Sequence, residues 1–214
     1  MANPFWSADH GTATWFHERL TPLLVSILRV FTEFGSGEWI GIILFALTLI
    51  FVWKRWWPSL VTLIVAVPGG MLLNEWVKVL VHRHRPFVDG PFVDWSGYSF
   101  ASGHTIGATL LYGQLLLFVL PALKARRWRL LCIFSAISLI LLVGFSRIAL
   151  GAHFLTDVLA AIFFGALWLI CCLVAGKSIG KHHRSLPDPL PISSDLVPVV
   201  AEQPIESLHV PRAN

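Results

Sequence analysis

Long apolar runs separated by short polar segments dominate the first 176 residues of the chain. A helix that crosses a bilayer needs about 20 mostly apolar residues, and six runs reach or approach that length. The predicted fold is therefore all-α, an integral membrane bundle of six transmembrane helices. The predicted spans cover residues 20–35, 38–53, 57–80, 103–121, 128–147 and 154–175.

The two ends of the chain lack this pattern. Residues 1–19 have no basic start followed by an apolar core, so they are not a cleavable signal and are predicted to form an N-terminal interfacial segment. Residues 177–214 are rich in proline and lack helical periodicity, which predicts a disordered cytoplasmic tail. Residues 20–176 then form one membrane domain.

Composition agrees with a membrane protein. Hydrophobic residues make up 56% of the chain and charged residues 13%, whereas about 25% is typical of charged residues in soluble domains. The formal net charge of +4 does not indicate nucleic acid as a partner, because the basic residues lie in short clusters between apolar runs. The three cysteines lie in apolar runs and are interpreted as reduced side chains, neither a disulfide framework nor a metal site.

Clusters of lysine and arginine predict the orientation. In a six-span topology three clusters fall on one side, and the positive-inside rule makes that side cytoplasmic, with both termini there. The expected location is a bacterial-type inner membrane. The clusters are Lys54 and Arg55; Lys124, Arg126, Arg127 and Arg129; and Lys177, Lys181 and Arg184. Four basic residues break the rule at the outer ends of spans three and five: Lys78, Arg83, Arg85 and Arg147.

Most of these exceptions belong to a group of polar residues that the topology brings to the outer face. Lys78, Arg85 and Arg147 supply cations for a phosphate-like dianion, and arginine suits bidentate contact with phosphate oxygens. Ser102 and Gly103 precede a helix whose N-terminal N–H groups can receive an anion. The predicted ligand is therefore a phosphate group.

Two histidines and an aspartate add reactive groups to the same face. His153 and Asp157 are four residues apart and are predicted to share a helix face, where the carboxylate accepts a proton from one imidazole nitrogen and leaves the other free to attack. His104 is available to protonate a leaving oxygen. Side chains supply the positive charge, and no acidic cluster suits magnesium, so no metal or other cofactor is expected.

These segments resemble the type 2 phosphatidic acid phosphatase superfamily, whose pattern is K-x6-R-P, P-S-G-H and S-R-x5-H-x3-D. The resemblance covers about residues 57–175, and Ala101 departs from it where the family has the proline before S-G-H. It implies that His153 is the nucleophile that forms a phosphohistidine, with Asp157 as its support and His104 as the acid and then the base. It also implies which residues hold the phosphoryl oxygens: Lys78, Arg85, Ser102, Gly103 and Arg147.

Several neighbouring residues keep two interpretations. Glu75, one helical turn before the first cation, either tunes the site or is structural. His82, Arg83 and His84 are interpreted as a polar outer loop in preference to direct substrate contacts. Residues 86–101 are either a lid over the site or a plain connection.

The favoured function is removal of the terminal phosphate of a lipid phosphate or pyrophosphate in the bilayer, with the active site on the periplasmic or extracellular side. Undecaprenyl pyrophosphate is favoured for this small, single-domain chain. The alternatives that the resemblance allows are phosphatidylglycerol phosphate, phosphatidic acid and the phosphates of lipid A. Transfer of the phosphoryl group to another lipid is a further possibility, and the oligomeric state is not predicted.

Other classes fit the sequence less well. A transporter or a haem-binding membrane protein could also use intramembrane histidines. The chain lacks the paired repeats of many transporters, and His104 and His153 lie at span ends beside arginines, which suits phosphate better than haem. Vanadium-dependent haloperoxidases share the motif but not the six-span organisation.

Overall fold

Seven α-helices and one short 3-10 turn make up the described chain. A computed structural model gives the structure and describes residues 5–87 and 97–184, with side chains through residue 177. The disordered tail was predicted to begin at residue 177, but residues 177–184 continue helix α7; the rest of the predicted tail, 185–214, lies outside the described residues. The helices are α1 (Trp6–His17), α2 (Pro22–Glu33), α3 (Gly37–Trp53), α4 (Trp57–Val81), α5 (Gly103–Val119), α6 (Arg126–Ala149) and α7 (Leu155–Arg184), with the 3-10 turn at Leu120–Ala122.

The predicted all-α membrane fold is confirmed, and α2–α7 follow the order of the six predicted spans. Within the described ranges, five stretches are long and apolar enough to cross a membrane. The first two predicted spans form one of them, the 32-residue stretch Pro22–Trp53. By itself α2 has 12 residues, about 18 Å of helix, which is short of the hydrocarbon thickness of about 30 Å.

Two residues set the break between α2 and α3. The backbone of Ser36 is extended, and its hydroxyl accepts a hydrogen bond from the Trp39 N–H at 3.1 Å, which caps α3. At Gly35 an added Cβ would lie 2.6 Å from the His104 carbonyl oxygen and 2.7 Å from Val143. Glycine therefore lets the break pack directly against α5 and α6.

The path of α2 and α3 explains why they count as one crossing. Leu28 packs with the last residues of α6, and Thr32 accepts a hydrogen bond from Arg147 near the same end. After the break, α3 runs on to the opposite end, where Phe51 packs edge-on against Phe118 of α5. The two helices together thus traverse the bundle once.

The bundle has two chemically different ends. We call the first the site end; it consists of the C-terminal ends of α4 and α6 and the N-terminal ends of α5 and α7. We call the other the basic end, since it carries Lys54 and Arg55 between α3 and α4, the cluster at 124–129 around the start of α6, and Lys177. The predicted basic clusters therefore share one end of the bundle.

The N-terminal helix α1 lies at the site end. The Asp9 carboxylate accepts hydrogen bonds from Thr156 at the start of α7. The centroids of the His10 and Phe154 rings are 5.0 Å apart. The prediction that both termini share a side stays a prediction, because residues 1–4 and those beyond residue 184 lie outside the described residues. Within the described bundle, α2 and α3 together form one crossing. As a result, α1 and the C-terminal end of α7 lie at opposite ends.

Helix α5 is the centre of the bundle. Ala108, Leu110 and Leu111 are completely buried, and α5 packs against α4, α6 and α7. The outer surface of the bundle, by contrast, exposes many large apolar side chains such as Leu80 and Phe45, as a lipid-facing surface requires. The first residues of α5 therefore reach the site end from the middle of the bundle.

Candidate active site

The turn between α6 and α7 carries His153 and is built on the last turn of α6. The N–H of Gly151 donates to the Ile148 carbonyl at 2.9 Å and that of Ala152 to the Arg147 carbonyl at 3.0 Å. This is the Schellman pattern, and Gly151 takes the left-handed conformation it needs, with φ of +72°. The His153 N–H donates to the Arg147 carbonyl as well, so one backbone group fixes the start of the turn and its histidine.

His153 precedes α7, which begins at Leu155. The prediction that His153 and Asp157 share a helix face is therefore wrong, although the two side chains do lie close together. The distance from His153 Nδ1 to Asp157 Oδ2 is 3.8 Å, longer than a hydrogen bond. Asp157 instead turns back to accept the Phe154 N–H at 2.9 Å, a bond that fixes the first turn of α7.

The hydrogen bond of the His153 ring goes to Ser99. Nδ1 lies 2.7 Å from the Ser99 carbonyl oxygen, and because a carbonyl only accepts, Nδ1 carries the proton. Nε2 then keeps its lone pair, and Arg85 Nη1 lies 3.4 Å from it. The sequence assigned this tautomer-fixing contact to Asp157; in the structure the carbonyl of Ser99 makes it.

Asp157 is fully buried, and Arg83 and Ser99 both donate to it. The Ser99 hydroxyl donates a short hydrogen bond to Oδ2, while Arg83 Nη1 donates to Oδ1 at 2.6 Å. Burying a carboxylate is costly unless it is paired and hydrogen-bonded, and these donors meet that need. For Arg83 the structure therefore shows more than a polar loop residue.

Sequence reasoning assigned no role in the site to either donor. Arg83 did carry a signal, because it breaks the positive-inside rule at the site end. Ser99 belongs to the segment 86–101, of which residues 88–96 lie outside the described residues. Ser99 makes its contacts through its backbone carbonyl and its hydroxyl, close to α5. Nothing in the local sequence indicates that this residue takes part in the site.

The three predicted cations have different surroundings. Lys78 Nζ would lie 3.2 Å from a Cβ added at Gly103, so the glycine lets the amine approach the start of α5. Lys78 also pairs with Glu75 at 2.7 Å, which leaves both interpretations of Glu75 open. Arg147 is buried, with 2% of its surface exposed, and its Nη1 donates to the Thr32 hydroxyl at 3.1 Å.

Arg85 is tied to the backbone on both sides of the site. Its Nε donates to the Gly97 carbonyl at 3.1 Å and its Nη1 to the Ala152 carbonyl at 3.0 Å. These bonds aim the guanidinium at His153, whose Nε2 it approaches. Burial lowers the pKa of Arg85, and the negative charge of Asp157 opposes that shift.

The N-terminus of α5, which lies at the site end, begins with N–H groups that have no partner within the helix. The first hydrogen bond of the helix runs from the Ile106 N–H to the Ser102 carbonyl at 3.0 Å. The N–H groups of Gly103, His104 and Thr105 precede this bond and have no carbonyl partner within the helix. Ser102 occupies the N-cap position as expected. Its side chain makes no capping bond and accepts the Thr105 hydroxyl instead.

His104 belongs to the same charged cluster. Its imidazole interacts electrostatically with His153 and with each of the three cations. All eight predicted site residues therefore come together at the site end: Lys78, Arg85, Ser102, Gly103, His104, Arg147, His153 and Asp157.

The protonation of His153 follows from its surroundings. Burial is the largest influence and, together with Arg147 and Arg85, lowers the pKa of His153 to about 4, while Asp157 acts in the opposite direction. Because an unperturbed histidine has a pKa of about 6.5, His153 is neutral at physiological pH. A neutral ring agrees with the lone pair on Nε2.

Cysteines and acidic residues do not form a further site in this part of the molecule. Among residues 5–87 and 97–177, no three His, Cys, Asp or Glu side chains come together in a way that could hold a metal ion. The cysteines are free thiols, namely Cys132, Cys171 and Cys172. The positive charge in the described site thus comes from lysine and arginine side chains.

Comparisons with known proteins give the family. Residues 59–179, more than half of the chain, match the model of the PAP2 superfamily. The chain is 32% identical over 150 residues to phosphatidylglycerophosphatase B from Bacillus subtilis, an alignment that covers 68% of this chain and 72% of that protein. It is 30% identical over 151 residues to a lipid A 1-phosphatase from Rhizobium johnstonii, with 65% and 57% covered.

Two solved structures share the fold. The crystal structure of a transmembrane PAP2-type phosphatidylglycerolphosphate phosphatase from Bacillus subtilis gives a TM-score of 0.73 at 24% identity, covering 87% of this chain and 90% of that one. The crystal structure of Aquifex aeolicus LpxE gives a TM-score of 0.62 at 22% identity, covering 81% and 99%. With its three motifs gathered at one end of a membrane bundle, and with the family model matched over more than half its length, this chain is a phosphoric monoester hydrolase that belongs to the PAP2 superfamily.

Proposed function

We propose that the protein removes the terminal phosphate from a membrane lipid phosphate through a phosphohistidine formed on His153. The observation that carries the proposal is that His153 Nε2, which has a free lone pair, lies 3.4 Å from Arg85 Nη1 at the site end of a membrane bundle. A phosphate bound between Arg85, Lys78 and Arg147 would hold its phosphorus in front of Nε2.

In the first step Nε2 attacks phosphorus, the N–P bond forms and the bond from phosphorus to the lipid oxygen breaks. His104 gives its proton to that oxygen, so the lipid leaves as a neutral alcohol, or as the shorter phosphate if the substrate is a pyrophosphate. The three cations and the N–H groups at the start of α5 stabilise the charge on the other phosphoryl oxygens.

In the second step water attacks the phosphohistidine. His104, now neutral, takes a proton from the water, the N–P bond breaks, and its electron pair returns to Nε2. Inorganic phosphate leaves, and both histidines are restored to their starting protonation states. A lipid hydroxyl in place of water would give phosphoryl transfer, so the same site chemistry allows both reactions.

A lipid substrate is supported by an apolar groove between α4 and α7. Its volume is about 320 Å³, and its wall includes Leu73, Asn74 and Val77 from α4. Asn74 lies one helical turn before Lys78, so the groove approaches the cations from within the membrane-spanning part of α4. A phosphate headgroup can then sit in the site while its hydrocarbon chain remains in the groove or in the bilayer.

Among the lipid phosphates we place phosphatidylglycerol phosphate first. The Bacillus subtilis relative that is 32% identical is named phosphatidylglycerophosphatase B, and this substrate was one of the alternatives allowed by the sequence. Undecaprenyl pyrophosphate, which the sequence analysis favoured as the substrate, stays a prediction. The reasons for it were the small size of the chain and a site on the outer face, and both fit a glycerolipid substrate equally well. No observation favours the transporter or the haem protein.

We infer that the site end faces the periplasm or the cell exterior. The basic clusters lie at the other end, which the positive-inside rule places in the cytoplasm of a bacterial-type inner membrane. In this orientation α1 lies on the outer side beside the site, and the end of α7 lies on the cytoplasmic side.

The pH dependence follows from the lowered pKa of His153. Below its pKa of about 4 the ring is protonated and has no lone pair, whereas above it the nucleophile is available. On the acid side of the profile we expect kcat/KM, corrected for the second ionisation of the substrate phosphate near pH 6, to fall only around pH 4. A remaining acid-side decline centred at about 6.5, the value of an unperturbed histidine, would contradict a buried, neutral nucleophile.

The substrate proposal is tested by a phosphate-release panel in detergent without added divalent metal and with a chelator present. The panel contains phosphatidylglycerol phosphate, phosphatidic acid, undecaprenyl pyrophosphate and lipid A. We expect the highest kcat/KM for phosphatidylglycerol phosphate. A higher value for undecaprenyl pyrophosphate would restore the preference from the sequence, and no release from any lipid would contradict a lipid phosphatase.

The groove is tested in the same assay with Leu73→Trp, which fills part of its wall. We expect KM for a long-chain lipid to rise about tenfold, equivalent to losing about two buried methylenes, with KM for a short soluble phosphate monoester unchanged. Leu72→Trp is the matched control, since Leu72 is exposed on α4 outside the groove. Equal effects of the two variants would contradict the role of the groove.

A further inference from the structure

The N-terminal helix α1 contributes a buried carboxylate to the site end. Asp9 has 1% of its surface exposed, although it lies in a short helix near the beginning of the chain. Its Oδ1 accepts the Thr156 N–H at 3.0 Å, and its Oδ2 accepts the Thr156 hydroxyl at 2.6 Å. Oδ2 also pairs with Arg83 Nη2 at 2.7 Å.

Arg83 links this carboxylate to Asp157. One guanidinium nitrogen contacts Asp9, and the other donates to Asp157 Oδ1 at 2.6 Å and to the Thr156 hydroxyl at 2.7 Å. The guanidinium also lies over the Phe154 ring, 4.3 Å from its centroid. Arginine's planar fork holds two partners in a fixed relation, so the position of Asp157 depends on that of Asp9.

Asp9 also caps the helix that carries Asp157. The first N–H groups of a helix need partners from outside it, and the residue before α7, Phe154, has no side-chain acceptor. Asp9 supplies the acceptor for the Thr156 N–H from 147 positions away in the sequence. A carboxylate at a helix N-terminus is also favoured by the helix dipole. The first turn of α7 is thus held in place from α1.

We propose that Asp9 is a positioning residue for the reaction, acting through Arg83 and the first turn of α7 on Asp157 and through it on the Ser99–His153 contact. Neither the motifs nor the comparisons assign a role to α1, since the family match begins at residue 59. The inference rests on the phosphohistidine mechanism proposed above. In this proposal α1 is part of the catalytic unit, because Asp9 of α1 positions Asp157, which in turn supports the nucleophile His153.

The test compares four variants of the full-length protein: Asp9→Asn, Arg83→Gln, the double variant and Glu18→Gln. Each is assayed on the best lipid of the panel for kcat and KM, and its melting temperature is measured. Asparagine keeps the shape of Asp9 but removes the charge that faces Arg83. Glu18→Gln is the control, because it removes an exposed carboxylate that pairs with Arg19 on the surface just after the same helix.

We expect Asp9→Asn to lower kcat about 10- to 100-fold, the range for a small displacement of catalytic groups. KM is expected to change by less than threefold, because Asp9 is hydrogen-bonded to Arg83 and Thr156, which are not among the proposed phosphate-holding residues. Asparagine can still accept the Thr156 N–H, so Asp9→Asn and Arg83→Gln break the same link between Asp9 and Arg83. The double variant should therefore lose no more activity than Arg83→Gln alone. Glu18→Gln should behave as wild type.

Three results would overturn the proposal. One is a kcat for Asp9→Asn within twofold of wild type. Another is a loss that tracks a fall in melting temperature and a rise in KM, which indicates a structural anchor only. The last is full additivity in the double variant. Wild-type protein without turnover on any lipid contradicts the proposed function itself, whereas active wild type with an unaffected Asp9→Asn contradicts only the role of α1.

Discussion

Replacing His153 with alanine is expected to lower phosphate release about 10⁴-fold or more, the size of loss seen when a covalent nucleophile is removed. The substitution deletes Nε2, the only protein atom that bonds to phosphorus in the proposed mechanism. It leaves Lys78, Arg85 and Arg147 in place, so binding should suffer far less than kcat. Initial rates with phosphatidylglycerol phosphate in detergent measure the effect.

His84→Ala is the matched control for this substitution. His84 is exposed and lies at the same end of the bundle, so the variant removes a histidine without touching the proposed machinery. We expect its rate to stay within about twofold of wild type, as is usual for surface substitutions. Release by His153→Ala at a rate close to that of His84→Ala would exclude His153 as the nucleophile.

Replacing Asp157 with asparagine is expected to lower kcat about 10³- to 10⁴-fold, as for the supporting carboxylate of a serine protease triad. Asp157 accepts hydrogen bonds from Arg83, Ser99 and the Phe154 N–H. An amide has one accepting oxygen and an NH₂ group that can only donate. At least one of these donors would therefore face another donor inside a buried site.

The displaced donor matters because Ser99 also holds His153. Its hydroxyl contacts Asp157 and its carbonyl accepts from Nδ1, so a shift of Ser99 disturbs the tautomer and the aim of the ring. Glu38→Gln, an exposed carboxylate in the first turn of α3, is the control and should keep wild-type kcat. An Asp157→Asn variant that retains more than about a tenth of wild-type kcat would contradict this account.

Much of the membrane domain could be predicted from the hydrophobic pattern. The predicted spans 57–80 and 128–147 correspond to α4 (Trp57–Val81) and α6 (Arg126–Ala149), because long apolar runs end at charged or glycine-containing turns. Consecutive long helices alternate in direction, so the ends that carry the three motifs had to meet. This geometry, and no single motif, gathers Lys78, His104 and His153.

The α2 region was harder to predict because its apolar run does not reveal where the helix packs. The break near Gly35 was visible in the sequence as the boundary between two runs. That α2 stops short and lies against the end of α6 depends on contacts such as Leu28 with the last residues of α6 and Thr32 with Arg147. Such tertiary contacts decide whether two short helices cross once or twice.

The support of the site was the least predictable part. Asp9 and Thr156 are 147 residues apart in the chain, and no periodicity connects them. The tautomer of His153 is set by the carbonyl of Ser99, a group that every residue possesses and that therefore carries no sequence signal. Spacing alone suggested Asp157 for that contact, but the turn before α7 separates the two side chains by 3.8 Å.

The central claim is that phosphorus becomes bonded to His153 during turnover. Wild-type protein is mixed with a lipid phosphate labelled in its terminal phosphate, quenched in alkali within milliseconds, digested and mapped by mass spectrometry. We predict an acid-labile, alkali-stable label on the peptide that contains His153, and no label on the His104 peptide. Label on His104, or rapid turnover with no labelled histidine at any time, would contradict the account.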